Sequence, residues 1–372
     1  MTRLWYLACL IPCALATQER SFRWSDRHVL GTAETLSAGL TFADVDGDND
    51  MDAIVANGRH WPQLNEVYLN NGAGRFTVSY ALGPRRATTY AIPAGDLDGD
   101  GDVDVIVAND QAENWVYLND GEGGFEFAWP VGPDVEPTRS AELYDLDLDG
   151  DLDLLVTNRG ASNGFFLNDG NGRFGAKNEF GGAQSSTIAV AMGDVDGDGD
   201  IDLVLANRDG QANEILLNNG HLNFVETRRY GTGSDETRSV ALADLNGDGT
   251  LDIVNANIGE PNQVYLGDGQ GAFGASVPLG DLESSYAVAL ADIDQDADLD
   301  IVFGNVRGRN GVYLNDGTGR TWTRTFIGEQ ADATYGVAAA DLTGDGYPDL
   351  GFANSGAPNL IFLNVEGRGP PR

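Results

Sequence analysis

DVDGDGDIDLVLAN, residues 194–207, places Asp194, Asp196, Asp198, Asp200 and Asp202 at alternate positions, with Gly197 and Gly199 between them. Five carboxylates this close repel one another, so the cluster needs a neutralising cation or the solvation of a disordered segment. It runs straight into LVLAN, a β-type apolar run, which argues against disorder. A hard cation such as calcium takes six to eight oxygen ligands, and its loop needs Gly or Asn where the chain turns sharply. The spacing D-x-D-x-D-G-x-x-D supplies carboxylates at positions 1, 3, 5 and 9 and a backbone carbonyl at position 7.

The arrangement parallels the first part of an EF-hand loop, and it recurs seven times, starting at Asp44, Asp96, Asp145, Asp194, Asp244, Asp292 and Asp341. The steps are 52, 49, 49, 50, 48 and 49 residues. A fixed period of that size marks one supersecondary unit copied along the chain. An acidic low-complexity tract would lack the apolar strands of constant length that separate these clusters.

The 372 residues suit one large repeat domain or two ordinary ones, and the 50 Gly suit short strands and tight turns. Net charge is −36, and the seven loops hold 31 of the 58 acids, so the acidity is concentrated in candidate metal sites. Such a chain has no basic footprint for nucleic acid and no attraction to anionic lipid. Residues 1–16, MTRLWYLACLIPCALA, read as a secretory signal peptide: Arg3 as the basic start, Leu4 to Leu15 as the apolar stretch, Ala14-Leu15-Ala16 as the cleavage site. Both cysteines, Cys9 and Cys13, lie within it, so the mature chain has no thiol and metal takes the place of disulfides. No later apolar stretch approaches the ~20 residues of a membrane span. The expectation is a secreted, extracellular or periplasmic protein, residues 17–372 forming one domain.

Unit two shows the strand pattern. TTYAIPAGD (88–96) is a strand of small and apolar residues, DLDGDGDVD (96–104) the acidic loop, VIVAN (105–109) a second strand, NWVYLND (114–120) a third and FEFAWPVG (125–132) a fourth. Four short antiparallel strands per unit predict a β-propeller blade, and seven units predict seven blades. The first strands, SVALAD and YAVALAD among them, are rich in Ala, Gly and Ser, as expected where blades converge on the axis. Residues 17–31 resemble the end of a unit, with Phe22 matching Phe76, whereas the chain after NLIFLN (359–364) lacks a fourth strand. The two gaps complement each other, so an N-terminal strand joining the last blade would close the ring and remove its open edge. Each second strand ends in Asn (Asn57, Asn109, Asn158, Asn207, Asn257, Asn305, Asn354), and another Asn precedes each third (Asn65, Asn114, Asn163, Asn213, Asn262, Asn310, Asn359). These suit side chains that bond nearby backbone, a feature of architecture; a ring of sugar contacts is the competing reading.

These residues resemble the FG-GAP/VCBS repeat family, also seen in the propeller of integrin α subunits, over about residues 21–364. The resemblance implies an all-β, seven-bladed propeller of four-stranded antiparallel blades, with up to seven Ca2+ ions in the loops between first and second strands. The implied ligands are Asp44, Asp46, Asp48 and Asp52 in unit one, then Asp96, Asp98, Asp100 and Asp104, Asp145, Asp147, Asp149 and Asp153, and Asp194, Asp196, Asp198 and Asp202. Position 7 is Asp50, Asp102, Asp151 and Asp200 in turn. Unit five has Asp244, Asn246, Asp248, Thr250 and Asp252; unit six has Asp292, Asp294, Asp296, Asp298 and Asp300; unit seven has Asp341, Asp345, Tyr347 and Asp349, with Thr343 at position 3. Asn246, Thr343 and Ala297, which replaces the turn glycine of unit six, make binding weaker or absent at units five to seven.

In an antiparallel blade the 1–2 and 3–4 connections share one face, which here carries the acidic loops and near-constant NDGxGxF turns. The 2–3 and 4–1 connections share the other and differ between units, and variable loops on a rigid scaffold are where binding resides. Arg59, Arg85, Arg86, Arg139, Arg159, Arg208, Arg238, Arg307 and Arg309 fall there, with His60 and Trp61. Arg forks suit carboxylate or sulfate, and Trp61 suits a sugar ring or a partner pocket. The plainer reading is that these Arg offset neighbouring acids such as Asp209 and Glu236. Glu142, the charged residue of a first strand, reads as a satisfied core carboxylate or a channel ligand. The functional expectation is a non-catalytic, monomeric module that binds a protein or glycan. A structural surface module and a lyase-like polysaccharide enzyme are the alternatives, and only His60 among the candidate bases lies on the varied face.

Overall fold

The computed structural model describes residues 20–32, 35–224 and 226–367, so the signal-peptide reading of residues 1–16 lies outside the described residues. Regular structure among them is all strand. The strands form a β-propeller arrangement, as the repeat predicts. In unit one, Ser37–Ala43, Asp52–Asn57, Glu66–Leu69 and Val78–Ala81 pair antiparallel in that order. Thr187–Gly193, Asp202–Asn207, Asn213–Leu217 and Glu226–Tyr230 repeat the arrangement in unit four.

Second strands are buried on both faces, DAIVAN and DLVLAN at every residue, because each is covered by the units on either side. That is why they read as continuous apolar runs and not as alternating ones. Fourth strands lie at the rim, and VSYA at 78–81 is mostly exposed. The core lies between units: Ile54 and Val67 pack with Val105 and Tyr117 of the next unit. Leu40 and Val55 pack with Leu342 and Ile361, so unit one also meets unit seven. Each fully buried Ile, Leu or Val contributes about 1.5–3 kcal/mol.

The expected closure is present. Arg20–Arg23 and Val29–Leu30 both pair antiparallel with Asn359–Glu366, from Arg20↔Glu366 to Leu30↔Asn359. Phe22 packs on the cluster of Phe352 and Phe362. Arg20 donates from Nε to Asn364 Oδ1 at 3.0 Å and from its terminal nitrogen to Asn364 O at 2.9 Å.

The sheet grouping differs from the expected seven separate blades: the strands form five sheets, of five, seven, four, six and four strands. Asp104–Leu118 and Glu126–Tyr144 are continuous strands where the sequence reads two each. Glu126–Tyr144 pairs with Asp104–Leu118 through its first part and with Asp153–Asn158 through its second, joining units two and three. Asp252–Tyr265 and Val277–Ala291 do the same for units five and six. The cause is that the connecting residues stay extended and paired, as in Pro137↔Asp110 and Ile258↔Ser284, instead of forming loops. Conversely, the expected strand at 88–96 is broken into Thr89–Ala91 and Ala94–Gly95 around Pro93, which lacks an N–H for the ladder.

Candidate metal centres and the opposite face

In each acidic loop the position-1 carboxylate organises the turn. Asp194 accepts the Gly197 N–H at 2.7 Å and the Gly199 N–H at 3.0 Å, one on each oxygen. The position-9 carboxylate anchors the loop to the blade. Asp202 accepts the N–H of Val195 at 3.0 Å and of Asn218, at the end of the third strand, at 2.8 Å. Asp52, Asp104, Asp153, Asp252, Asp300 and Asp349 make the same pair of bonds, and all seven carboxylates are buried. Burial pushes Asp52, Asp300 and Asp349 up to about 7 and Asp104, Asp153 and Asp202 up to about 6, against the opposing pull of the backbone N–H groups. Asp252 is raised by the same cause.

Position 3 carries the least satisfied carboxylates. Asp46, Asp98, Asp196 and Asp294 are raised by burial and then by the neighbouring position-5 carboxylate. In all four, Oδ1 is buried with no hydrogen-bond partner among the described residues, a costly state for a carboxylate oxygen. Oxygens of Asp44, Asp46 and Asp48 lie within 4.8 Å of one another, as do those of Asp96, Asp98 and Asp104, Asp145, Asp147 and Asp153, Asp194, Asp196 and Asp202, and Asp292, Asp294 and Asp300. All-oxygen donor sets with an orphaned buried oxygen fit a hard cation, and several Asp groups in the repeats can hold a metal ion. Asp100, Asp149, Asp198 and Asp296, at position 5, are exposed beside the position-3 carboxylates and add to burial in raising them. Position-7 side chains turn away from the group: a Cβ on Gly72, at φ +69°, would lie 2.7 Å from the Asp50 carboxylate. Asp102, Asp151, Asp200, Thr250 and Asp298 likewise crowd the glycine of the following turn, which leaves position 7 only its carbonyl to offer.

Units five and seven assemble no such group among the described residues. Asn246 spends its Oδ1 on the Asp248 N–H at 2.9 Å. In unit seven, Arg20 lies 3.6 Å from Asp345 and its guanidinium stacks 3.4 Å from the Tyr347 ring centre, so a side chain supplies positive charge at that loop. The departure at unit six has a different outcome: Ala297 is held at φ +77°, yet the carboxylates of Asp292, Asp294 and Asp300 still converge. Asp196→Ala is therefore expected to cost about 2–3 kcal/mol in calcium, the worth of one well-filled site, and Asp345→Ala clearly less. Melting of the two variants in excess calcium tests this, and equal losses would refute it.

The raised position-9 carboxyls set a pH dependence. In metal-free protein they hold protons to higher pH when folded than when unfolded, so the folded state binds more protons between about pH 4 and 7. Its stability therefore falls as pH rises through that window. A metal must displace those protons, so calcium binding strengthens over the same range. Melting at about pH 5 and 7.5 is expected to trend downward with chelator and upward with calcium; parallel trends would contradict the linkage.

Two networks join the units. Asn119 of the third-strand turn donates to Val45 O, the position-2 carbonyl of the preceding acidic loop, at 2.8 Å. Asn70, Asn168, Asn315 and Asn364 do the same to Leu342, Leu97, Leu245 and Ile293. The near-constant NDGxGxF turn carries the sequence signal of these clamps. On the opposite side, Asn109 gives its N–H to Asn114 Oδ1 at 2.7 Å and its Nδ2 to Glu113 O at 2.7 Å. Asn65 Nδ2 reaches Thr89 Oγ1 of the next unit at 3.0 Å, and Thr89 donates to Asn109 Oδ1 at 3.0 Å. All members of the Asn pairs but Asn310 are buried, as an architectural role requires.

The varied face is confirmed as one surface by bridges between its connections, Gln63↔Ala87, Arg159↔Ser186 and Val306↔Ala333. Four of its nine Arg have acidic partners: Arg139 with Asp110 at 2.8 Å, Arg159 with Asp209 at 2.8 Å, Arg208 with Glu236 at 3.3 Å and Arg309 with Glu329 at 3.4 Å. Arg59, Arg85, Arg86, Arg238 and Arg307 have none among the described residues. Trp61 is 72% exposed, and His60 Nδ1 lies 3.3 Å from the Tyr90 hydroxyl, its pKa lowered by burial and by Arg59. Lys177 is bound to Glu136 and to Ser162 O. Glu142 lines the central cavity and has no ion-pair or hydrogen-bond partner among the described residues, which favours the channel-facing alternative over the satisfied core carboxylate.

The chain matches the FG-GAP-like repeat model at residues 44–107, 96–156, 145–205, 194–255, 245–303 and 292–352. It belongs to the FG-GAP-like repeat family, and the six overlapping segments run from the first acidic loop to the last. No curated protein matches the chain. Among solved structures it is similar to BBS1N in complex with ARL6DN, soaked with lead, at 10% identity and TM-score 0.63, covering 94% of this chain and 98% of that one. The mercury-soaked form of the same complex gives 12% identity and TM-score 0.63, covering 92% and 97%. At this identity the likeness concerns the fold.

Proposed function

We propose that the chain is a calcium-stabilised, non-catalytic recognition module, a secreted or periplasmic seven-bladed propeller whose varied face binds a protein or glycan. The observation that carries this is the division between faces: carboxylate groups and clamps occupy one, while Trp61 and five unpaired Arg occupy the other. Calcium is favoured over magnesium because loops rich in carboxylate and carbonyl oxygens suit its larger, more flexible shell. Seven blades are supported by seven apolar clusters, each shared by two neighbouring units and the last joining units seven and one. A protein partner draws support from the similar propeller BBS1N, which was solved in complex with ARL6DN. Among the candidate bases, Lys177 is held by Glu136, and the His60–Tyr90 pair on the varied face is the one a catalytic reading would have to use, so the non-catalytic reading stands or falls by assay.

Affinity capture from the outer surface of the source cells, with calcium present, tests the reading. Trp61→Ala is expected to leave melting unchanged, because the side chain is solvated, and to weaken capture about tenfold or more, as loss of an exposed aromatic anchor does. Loss of fold would mean that this loop is core. An unsaturated-product assay on acidic polysaccharides tests the absence of catalysis, and N-terminal sequencing of the mature protein tests cleavage after Ala16.

A further inference from the structure

The central channel opens on the varied face through a collar formed by the residue after the buried Thr or Ser of each first strand. Tyr90, Arg139, Arg238, Tyr286 and Tyr335 line it around a cavity of about 320 Å³. Arg59 reaches the collar from the neighbouring loop, its guanidinium 3.7 Å from the Tyr335 ring centre. Tyr286 and Tyr335 meet edge to face at 4.9 Å, and Arg238 lies 5.8 Å from the Tyr286 ring centre.

Arg139 is answered by Asp110, but Arg59 and Arg238 have no carboxylate or hydrogen-bond partner for their guanidinium groups among the described residues. Burial, then the charges of Arg208, Arg59 and Arg139, push Arg238 down to about 10, which leaves it charged at neutral pH. Gathering uncompensated cations costs stability, and a chain of net charge −36 has acids to spare for pairing them. The volume is at the lower end of small-ligand sites, and tyrosine faces with a few convergent polar groups are what such sites present. Glu142 adds an unpartnered carboxyl to the wall of the same cavity.

The geometry points to a channel site for a small organic carboxylate of acidic-monosaccharide size, its charge met by Arg59 and Arg238 and its ring packed against Tyr286 and Tyr335. This rests on the varied face being the recognition face. The same chemistry can arrive as a free uronic acid or as a uronic residue ending a glycan chain.

Calorimetric titration of the calcium-loaded full chain with D-glucuronate, D-glucose and sulfate tests it. Glucuronate alone is expected to bind, one per chain. Arg238→Gln and Arg59→Gln are expected to weaken it about 10–100-fold, the worth of a charge-assisted hydrogen bond. Arg173→Gln, on the metal-loop face, is expected to leave it unchanged. Ligand-free Arg238→Gln is expected to melt above the parent, because a crowded charge has been removed, so lost binding cannot be ascribed to misfolding. Absence of glucuronate binding, equal binding of glucose or sulfate, or unchanged affinity in Arg238→Gln would overturn the site. A glucuronate-terminated oligosaccharide binding as the free acid does identifies the chain-end source. Partner capture lost in Trp61→Ala but intact in Arg238→Gln, with no glucuronate bound, would overturn this site while keeping the varied-face reading.

Discussion

A calcium chelator is expected to lower the melting temperature by roughly 10 °C or more, or to unfold the protein outright. Without cations, the grouped carboxylates repel one another, and the orphaned oxygens of Asp46, Asp98, Asp196 and Asp294 remain buried without a partner. A metal that binds the folded loop and not the unfolded chain stabilises by mass action, about 2.7 kcal/mol per site at a hundredfold excess over Kd. Several such sites together match the ~5–15 kcal/mol of a whole protein. Magnesium is expected to rescue poorly, because it demands octahedral geometry and dehydrates reluctantly. Calorimetry with and without chelator is the measurement, and coincident curves would sink the calcium reading.

The second large effect concerns closure. A chain starting at Ser37 loses both segments that pair with Asn359–Glu366 and the buried Leu30. It also strips Arg20 from Asn364 and from the Asp345 loop. The exposed strand becomes an unpaired edge beside Phe352 and Phe362, a template for aggregation. The expected outcome is a markedly lower melting temperature or aggregation in light scattering. A monomer that melts like the parent would show that the strand contributes nothing to closure.

How much of this was readable beforehand follows from where the constraint lies. Ion coordination demands fixed spacing, so the acidic loops stood out one by one, and the half-units at the two ends implied their own pairing. Relations between units carry no spacing of their own. Nothing adjacent to Asn119 names Val45 as its acceptor, 74 residues away. Arg20 likewise finds Tyr347 only because the ring closes. The run-on of Asp104–Leu118 was hidden because a paired, extended connection has the same polar composition as a loop. The sequence leaves Glu142 with two readings because an axial strand faces a cavity on one side, while its neighbours Ala141 and Leu143 announce core.

The Thr/Asn relay that passes from unit to unit has a consequence for how the molecule comes apart. In an open solenoid, each repeat touches its two neighbours, and the terminal ones fray first because they have lost half their contacts. Here every unit has two neighbours, and the statistical problem is a one-dimensional chain with periodic boundaries. A fluctuation cannot begin at an end; it must break two interfaces to release one unit. Its most favourable starting point is the junction where the relay is incomplete. Asn359 Nδ2 is buried there without a partner among the described residues, whereas Asn65, Asn163 and Asn213 each reach the following unit. Amide exchange should thus open earliest at the seam beside Asn359.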